Sequence, residues 1–229
     1  MDDDGGPQEQ GTGAIDPGSF LNRNLAVDVH ENYLPHWQQG STFLFVTWRL
    51  ADALPRAKLN EWAEEKAIWL RFHPCPWDVR TQAAYHERFS GRIDRWLDKG
   101  SGSAILRNER YANVVAAALR HFDGDRYELV TFVIMPNHVH VLFRPIGSHR
   151  LSATVKSWKG FSAREINRMR GESGPLWQED YWDRVVRNPT DFTRCILYIK
   201  ENPTKASLRP GQFYLHETER SRGLPAPIV

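Results

Sequence analysis

The stretch "TFVIMPNHVHVLFRP", residues 131–145, restricts the fold more than any other part of the chain. Two apolar runs flank Pro136–Asn137, a dipeptide suited to a tight turn. Residues 127–135 and 138–144 therefore read as an antiparallel hairpin. Side chains of a strand alternate between faces, so Val139 and Val141 share one face and His138 and His140 the other. The valines belong in apolar packing. The imidazoles stand side by side, close enough to share one metal ion. The competing reading is a pair of half-exposed strand histidines hydrogen-bonded to their neighbours.

The remaining elements follow from periodicity. "STFLFVTWRL" (41–50) is a strand with both faces at least partly covered, and residues 55–72 have helical spacing with Pro55 in the first turn. Helical spacing returns over 81–100 and 108–122, and 150–171 is a long basic helix ended by Gly171. A short strand falls near 183–186. A last helix spans 189–203, capped by Thr190 and stopped by Pro203. Residues 1–30 read as a disordered arm and 210–229 as a tail. Strand, helices, hairpin, helix, short strand and helix in that order give an α+β fold on an antiparallel sheet.

A two-histidine site needs further ligands and a nucleophile. In the 189–203 helix, Tyr198 and Asn202 are four residues apart and lie on one face. The Asn202 carbonyl oxygen suits a hard cation such as Mg²⁺ or Mn²⁺, and Tyr198 puts a phenol one turn away. Each has a plainer reading: Tyr198 as a core aromatic beside Phe192, Ile196 and Ile199, and Asn202 as a helix C-terminal residue.

Charge narrows the partners. The net charge is +2, but residues 1–19 hold five acids and no Lys or Arg, leaving 30 basic against 23 acidic residues elsewhere. That excess fits a polyanion. It concentrates around the helix after the hairpin, where Arg144, Arg150, Lys156, Lys159, Arg164 and Arg168 are candidate DNA contacts. Trp158 and Phe161, interleaved among them, are expected to bury into the sheet. Glu179, Asp180 and Asp183 are expected to pair with Arg184 and Arg187. No apolar run approaches the roughly 20 residues that cross a bilayer, no leader pattern opens the chain, and Cys75 and Cys195 are far apart. The expectation is a cytoplasmic protein without a disulfide framework.

"MPNHVHVLF", "LSATVKSWKGFSAREIN", "LWQEDYWDRVVRN" and "YIKENPTKASL", in that order, resemble the one-tyrosine HUH transposases of the insertion-sequence-200 type. More narrowly, they are similar to the tyrosine transposases associated with repetitive extragenic palindromes. The resemblance covers roughly residues 33–209 and implies a ferredoxin-like antiparallel sheet with helices packed on one face. It makes 31–209 one transposase-like domain, enlarged by a helical insertion at about 51–125 that compact members do not need. By resemblance, His138 and His140 match the metal pair, Tyr198 the nucleophile and Asn202 a third cation-holding residue. The implied activity is metal-dependent cleavage and rejoining of single-stranded DNA at or near hairpins, through a 5′-phosphotyrosine, by a monomer or homodimer. The alternative on the same fold is a regulator that binds hairpin DNA without cutting it.

Overall fold

The hairpin forms as its alternation predicts. In the computed structural model, β4 (Tyr127–Ile134) and β5 (His138–Pro145) pair antiparallel, with a one-residue bulge between Leu129 and Thr131. The structure describes residues 15–22, 24–26, 28–31, 35–74, 78–98 and 102–222. A separate two-stranded ribbon joins β1 (Asp28–Glu31) to β2 (Pro35–Gln38).

The hairpin is the middle of a five-stranded antiparallel sheet. β3 (Leu44–Arg49) pairs with β5, β6 (Trp182–Val185) with β3, and β7 (Tyr214–Glu217) with β4, giving the order β6-β3-β5-β4-β7. Strands β3 to β6, with one crossover helix after β3 and another after β5, follow the ferredoxin-like split βαβ plan. Those helices are α4 (Glu109–Arg120) and α5 (Leu151–Arg170). Both cover one face, where Val115, Leu119, Val155, Trp158 and Ile166 pack against Leu44, Val46, Val139 and Val141. Gly171 ends α5 in the left-handed region at φ 66°, its N–H and that of Glu172 donating to the carbonyls of Arg168 and Asn167.

A third helix, α6 (Pro189–Lys205), covers the opposite face, so helices do not lie on one side alone. The reason is visible in β3: Phe43 and Phe45 alternate with Leu44 and Val46 and are just as apolar, so both faces need cover. Phe192, Cys195, Ile196 and Ile199 supply that cover. The α6 cap is Asn188, whose side chain accepts from Asp191 N–H at 2.9 Å, rather than Thr190. Pro189 then fits the first turn. Pro203 lies inside the helix, which runs on to Lys205, because only the bond its missing N–H would have made is lost.

Three boundaries differ from expectation. The ordered chain begins before residue 30: Asp16 caps a turn at Pro17–Ser19, and the Phe20 ring sits 5.8 Å from Phe43. The expected tail supplies β7, where Tyr214 and His216 stack on Phe132, and a short α7 (Glu219–Arg222). Residues 1–14, and 223–229 of the tail, lie outside the described residues. Within the insertion, α1 (Arg56–Phe72), α2 (Val79–Tyr85) and α3 (Gly91–Asp98) are additions, with a π-helical turn at His86–Ser90. The segment 109–120 instead forms the crossover helix α4.

Candidate active site

His138 and His140 face α6 and are completely buried, which removes the half-exposed reading. Pairing sets their neighbours: Thr47 opposes His140 and Arg49 opposes His138 across β3 and β5. The two Nε2 atoms lie 3.0 Å apart. Asn137 Oδ1 sits 2.7 Å from His138 Nδ1, while the Asn137 amide donates to the Leu97 carbonyl at 3.2 Å. The amide is thereby oriented so that its oxygen accepts the His138 Nδ1 proton, leaving a lone pair on Nε2. Thr47 Oγ1 lies 2.7 Å from His140 Nδ1, in position to play the same part. Burial holds His138 down at about 3, and His140 well below the ordinary imidazole range, by burial first and His138 second. Both imidazoles are neutral, as metal ligands must be.

Helix α6 lays Tyr198 and Asn202 over this pair. The Tyr198 ring meets His140 edge-on at 5.3 Å and Phe45 at 5.7 Å, and stays partly exposed. Lys205 Nζ lies 5.6 Å from the same ring. Asn202 is buried, its Nδ2 3.5 Å from His140 Nε2, and its Oδ1 is buried with no hydrogen-bond partner among the described residues. The four residues singled out in the sequence thus converge within one chain. They suit a cation on two counts. Two nitrogens each about 2.1 Å from one ion, at a near-right angle, stand as far apart as these Nε2 atoms. The orphaned Asn202 oxygen supplies the hard ligand that Mg²⁺ or Mn²⁺ prefers. Among the described residues, no three His, Cys, Asp or Glu side chains cluster as a metal site.

Sequence reasoning missed Asn137, Thr47 and Arg49. Asn137 was read only as a turn residue, although it immediately precedes the histidine pair. Thr47 is a polar interruption in the Phe43–Phe45 row, a visible but ambiguous signal. Arg49 continues that row beside His138, and its buried Nη1 has no hydrogen-bond partner among the described residues.

The expected DNA contacts divide. Arg150, Lys156, Arg164 and Arg168 are exposed on α5, across the sheet from Tyr198, with Arg168 paired to Glu165 at 2.8 Å. Arg144 and Lys159 have partners within the chain. Arg144 makes a two-pronged bond to its cross-strand neighbour Glu128 and a third to Ser19, as a cation at a strand end naturally does. Lys159 Nζ donates to the carbonyls of Gln178 and Glu179 at 2.8 and 2.6 Å, and burial lowers its pKa to about 8. Trp158 is buried as expected, whereas Phe161 is 43% exposed. Arg184 and Arg187 both pair with Asp191, in the first turn of α6, at 2.8 and 3.4 Å.

Residues 103–202 match the family model described as "Transposase IS200 like". The chain is 25% identical over 89 residues to a putative REP-associated tyrosine transposase of Haemophilus influenzae, covering 34% of this chain and 51% of that one. It is 33% identical over 82 residues to the ISDra2 transposase TnpA of Deinococcus radiodurans, covering 36% and 53%. The chain therefore spans about half the length of these curated relatives. Among solved structures it is similar to a REP-associated tyrosine transposase bound to a REP hairpin, with TM-score 0.45 and 17% identity over 77% of this chain and 74% of that one. The resemblance read from the histidine and tyrosine segments is borne out over the matched residues, which contain His138, His140, Tyr198 and Asn202.

Proposed function

We propose, on the premise that residues 103–202 carry the IS200-like transposase pattern, that this protein is a metal-dependent single-strand DNA endonuclease and strand transferase acting through Tyr198 at or near DNA hairpins. The observation that carries the reading is the Tyr198 ring, set edge-on at 5.3 Å against His140 of the same chain.

His138, His140 and Asn202 would hold Mg²⁺ or Mn²⁺; when bound, the cation polarises the scissile phosphate and offsets the charge that develops on it. Asn137 Oδ1 and Thr47 Oγ1 can each accept the Nδ1 proton of their imidazole, which would leave both Nε2 lone pairs for the cation. The Tyr198 oxygen attacks phosphorus, its proton leaving to solvent. A Tyr–O–P bond forms as the P–O3′ bond breaks, and the departing oxygen takes up a proton as a 3′-hydroxyl. The aryl phosphodiester retains the energy of the bond it replaced, so a second 3′-hydroxyl can displace Tyr198 and rejoin strands. A phenol ionises near about pH 10, far below an aliphatic hydroxyl, which makes tyrosine suited both to attack and to leave. Exposed Arg150, Lys156, Arg164 and Arg168 on α5 contact the duplex part of the hairpin, away from the reacting phosphate. One chain completes the site, so a monomer suffices. Among the described residues no helix is long and apolar enough to cross a membrane.

The test is a covalent one. Incubation with hairpin oligonucleotides and Mn²⁺ is expected to give a detergent-stable protein–DNA adduct that Tyr198→Phe does not form. An equal yield from Tyr198→Phe would refute the assignment. Binding without any adduct, under any divalent cation, would instead favour a non-cleaving regulator.

A further inference from the structure

The additions after β3 enclose a space beside this centre. Helices α1 to α3, the end of β3 and the segment leading into β6 line a cavity of about 880 Å³, within the roughly 300–1,000 Å³ usual for small-ligand sites. It opens against the site already described. Thr47, which contacts His140, is part of its wall, and so is Trp182, whose ring meets Phe45 at 5.7 Å; Phe45 in turn meets Tyr198. Arg49, the cross-strand neighbour of His138, lines the same space with its buried, unpartnered Nη1.

The wall has two chemistries. Trp62 from α1 and Trp182 from β6 contribute aromatic surface, with Lys66 Nζ 5.1 Å from the Trp62 ring. Arg49 and Lys66 contribute positive charge in a poorly solvated place. Burial lowers their pKa values to about 10 and about 8, and Asp180 opposes the shift in both. Glu179 and Asp180 also line the cavity, so its two cations stand against two carboxylates. Aromatic walls beside a buried guanidinium nitrogen that lacks a hydrogen-bond partner among the described residues fit an occupant with a planar apolar part and an anionic part.

We propose that this cavity receives the base and sugar of one unpaired nucleotide adjoining the phosphate that Tyr198 attacks, with Arg49 contacting the phosphate between them. The inference rests on the function proposed above and gives the inserted helices a part in it: they form a pocket that holds the strand in register. Asn137 already ties the insertion to the centre, since its amide bonds both His138 and the Leu97 carbonyl of α3.

The experiment uses the full chain carrying Tyr198→Phe, so that binding is read without cleavage. Hairpin oligonucleotides with unpaired flanks carry a single abasic sugar, moved one position at a time, and affinity is followed by fluorescence anisotropy. One flank position is expected to lose about tenfold in affinity when its base is removed, the range of one stacked base. Ala63 and Ala67 are exposed on α1 and also line the cavity. Ala63→Trp or Ala67→Trp, checked for an unchanged melting temperature, fills the space and is expected to abolish the difference at that position. If hairpins bind but no position is sensitive, or if the sensitive position stays so in both filled variants, the pocket assignment is overturned while the function stands. If no hairpin binds at all, the functional reading fails and the pocket assignment with it.

Discussion

The two faces of β5 are equally buried and differ in how completely their polar groups are answered. On the α4–α5 side, Val139 and Val141 lie among Trp48, Trp158 and Phe143, and the nearby polar atoms form a chain. Trp158 Nε1 donates to Tyr127 Oη and Tyr127 Oη to the Leu119 carbonyl, each at 2.8 Å, while Trp177 Nε1 donates to Ser162 Oγ at 3.0 Å. Trp48 Nε1 is the exception. On the α6 side, the two imidazole Nε2 atoms lie 3.0 Å apart, and Asn202 Oδ1 and Arg49 Nη1 are buried without hydrogen-bond partners among the described residues. Leaving buried polar atoms unanswered costs about 1–3 kcal/mol each. Beside β5 two such atoms gather on the α6 face, around the histidine pair, against Trp48 Nε1 alone on the other, which sets stability mainly on one side of the strand and chemistry on the other.

Substitutions can break that division. The largest effect expected is on catalysis. His140→Ala should lower the rate of adduct formation by at least about a hundredfold, since losing even an outer partner of a metal ligand costs 10- to 100-fold. Its urea midpoint should change little beside that loss. Across the strand, Trp158→Ala should cost about 3–5 kcal/mol of stability by opening a cavity, read from the same urea titration. The rate per folded molecule should be retained. If Trp158→Ala removed catalysis from fully folded protein, the two faces would not be separable.

How much of this was legible in the sequence follows from the range of each signal. The hairpin, the helices at 108–122 and 150–171, and the pairs His138/His140 and Tyr198/Asn202 rest on local periodicity, two residues along a strand and four along a helix, whereas the family resemblance is what joins the two pairs into one site. Those spacings are set by backbone geometry. Asn137, Thr47 and Arg49 acquire their roles only through cross-strand register and contact with α3, and no local spacing encodes these. Helices packing on both faces, the pairing of Arg184 with Asp191 and the capture of Tyr214–Glu217 as an edge strand likewise depend on tertiary pairing. The partners of Arg144 and Lys159 are not legible either, because charge along a helix or strand end does not reveal a neighbouring acid or carbonyl.

Acid should separate the faces by a smaller margin. His138 has a folded pKa of about 3 against about 6.5 in an unfolded chain, so below pH 6.5 the unfolded state binds more protons. Its stabilisation is complete above about pH 6.5 and is lost as pH falls toward 3. The slope approaches 1.4 kcal/mol per unit, about 2 kcal/mol by pH 5. Cation-free protein should show this loss in urea midpoints between pH 7.5 and 5, and His138→Gln should reduce it, leaving the part due to His140. The smallest effect concerns the supporting residues. Thr47→Val should weaken Mn²⁺ binding by about ten- to a hundredfold, without the loss of sites expected when a ligand itself is removed.

Mn²⁺ binding to the purified protein, titrated by electron paramagnetic resonance, tests the central claim most directly. One Mn²⁺ per chain is expected for the wild type and for Tyr198→Phe, and none at comparable concentration for the double variant His138→Ala/His140→Ala. Unchanged binding after both imidazoles are gone would contradict the claim that this face of β5 holds the cation.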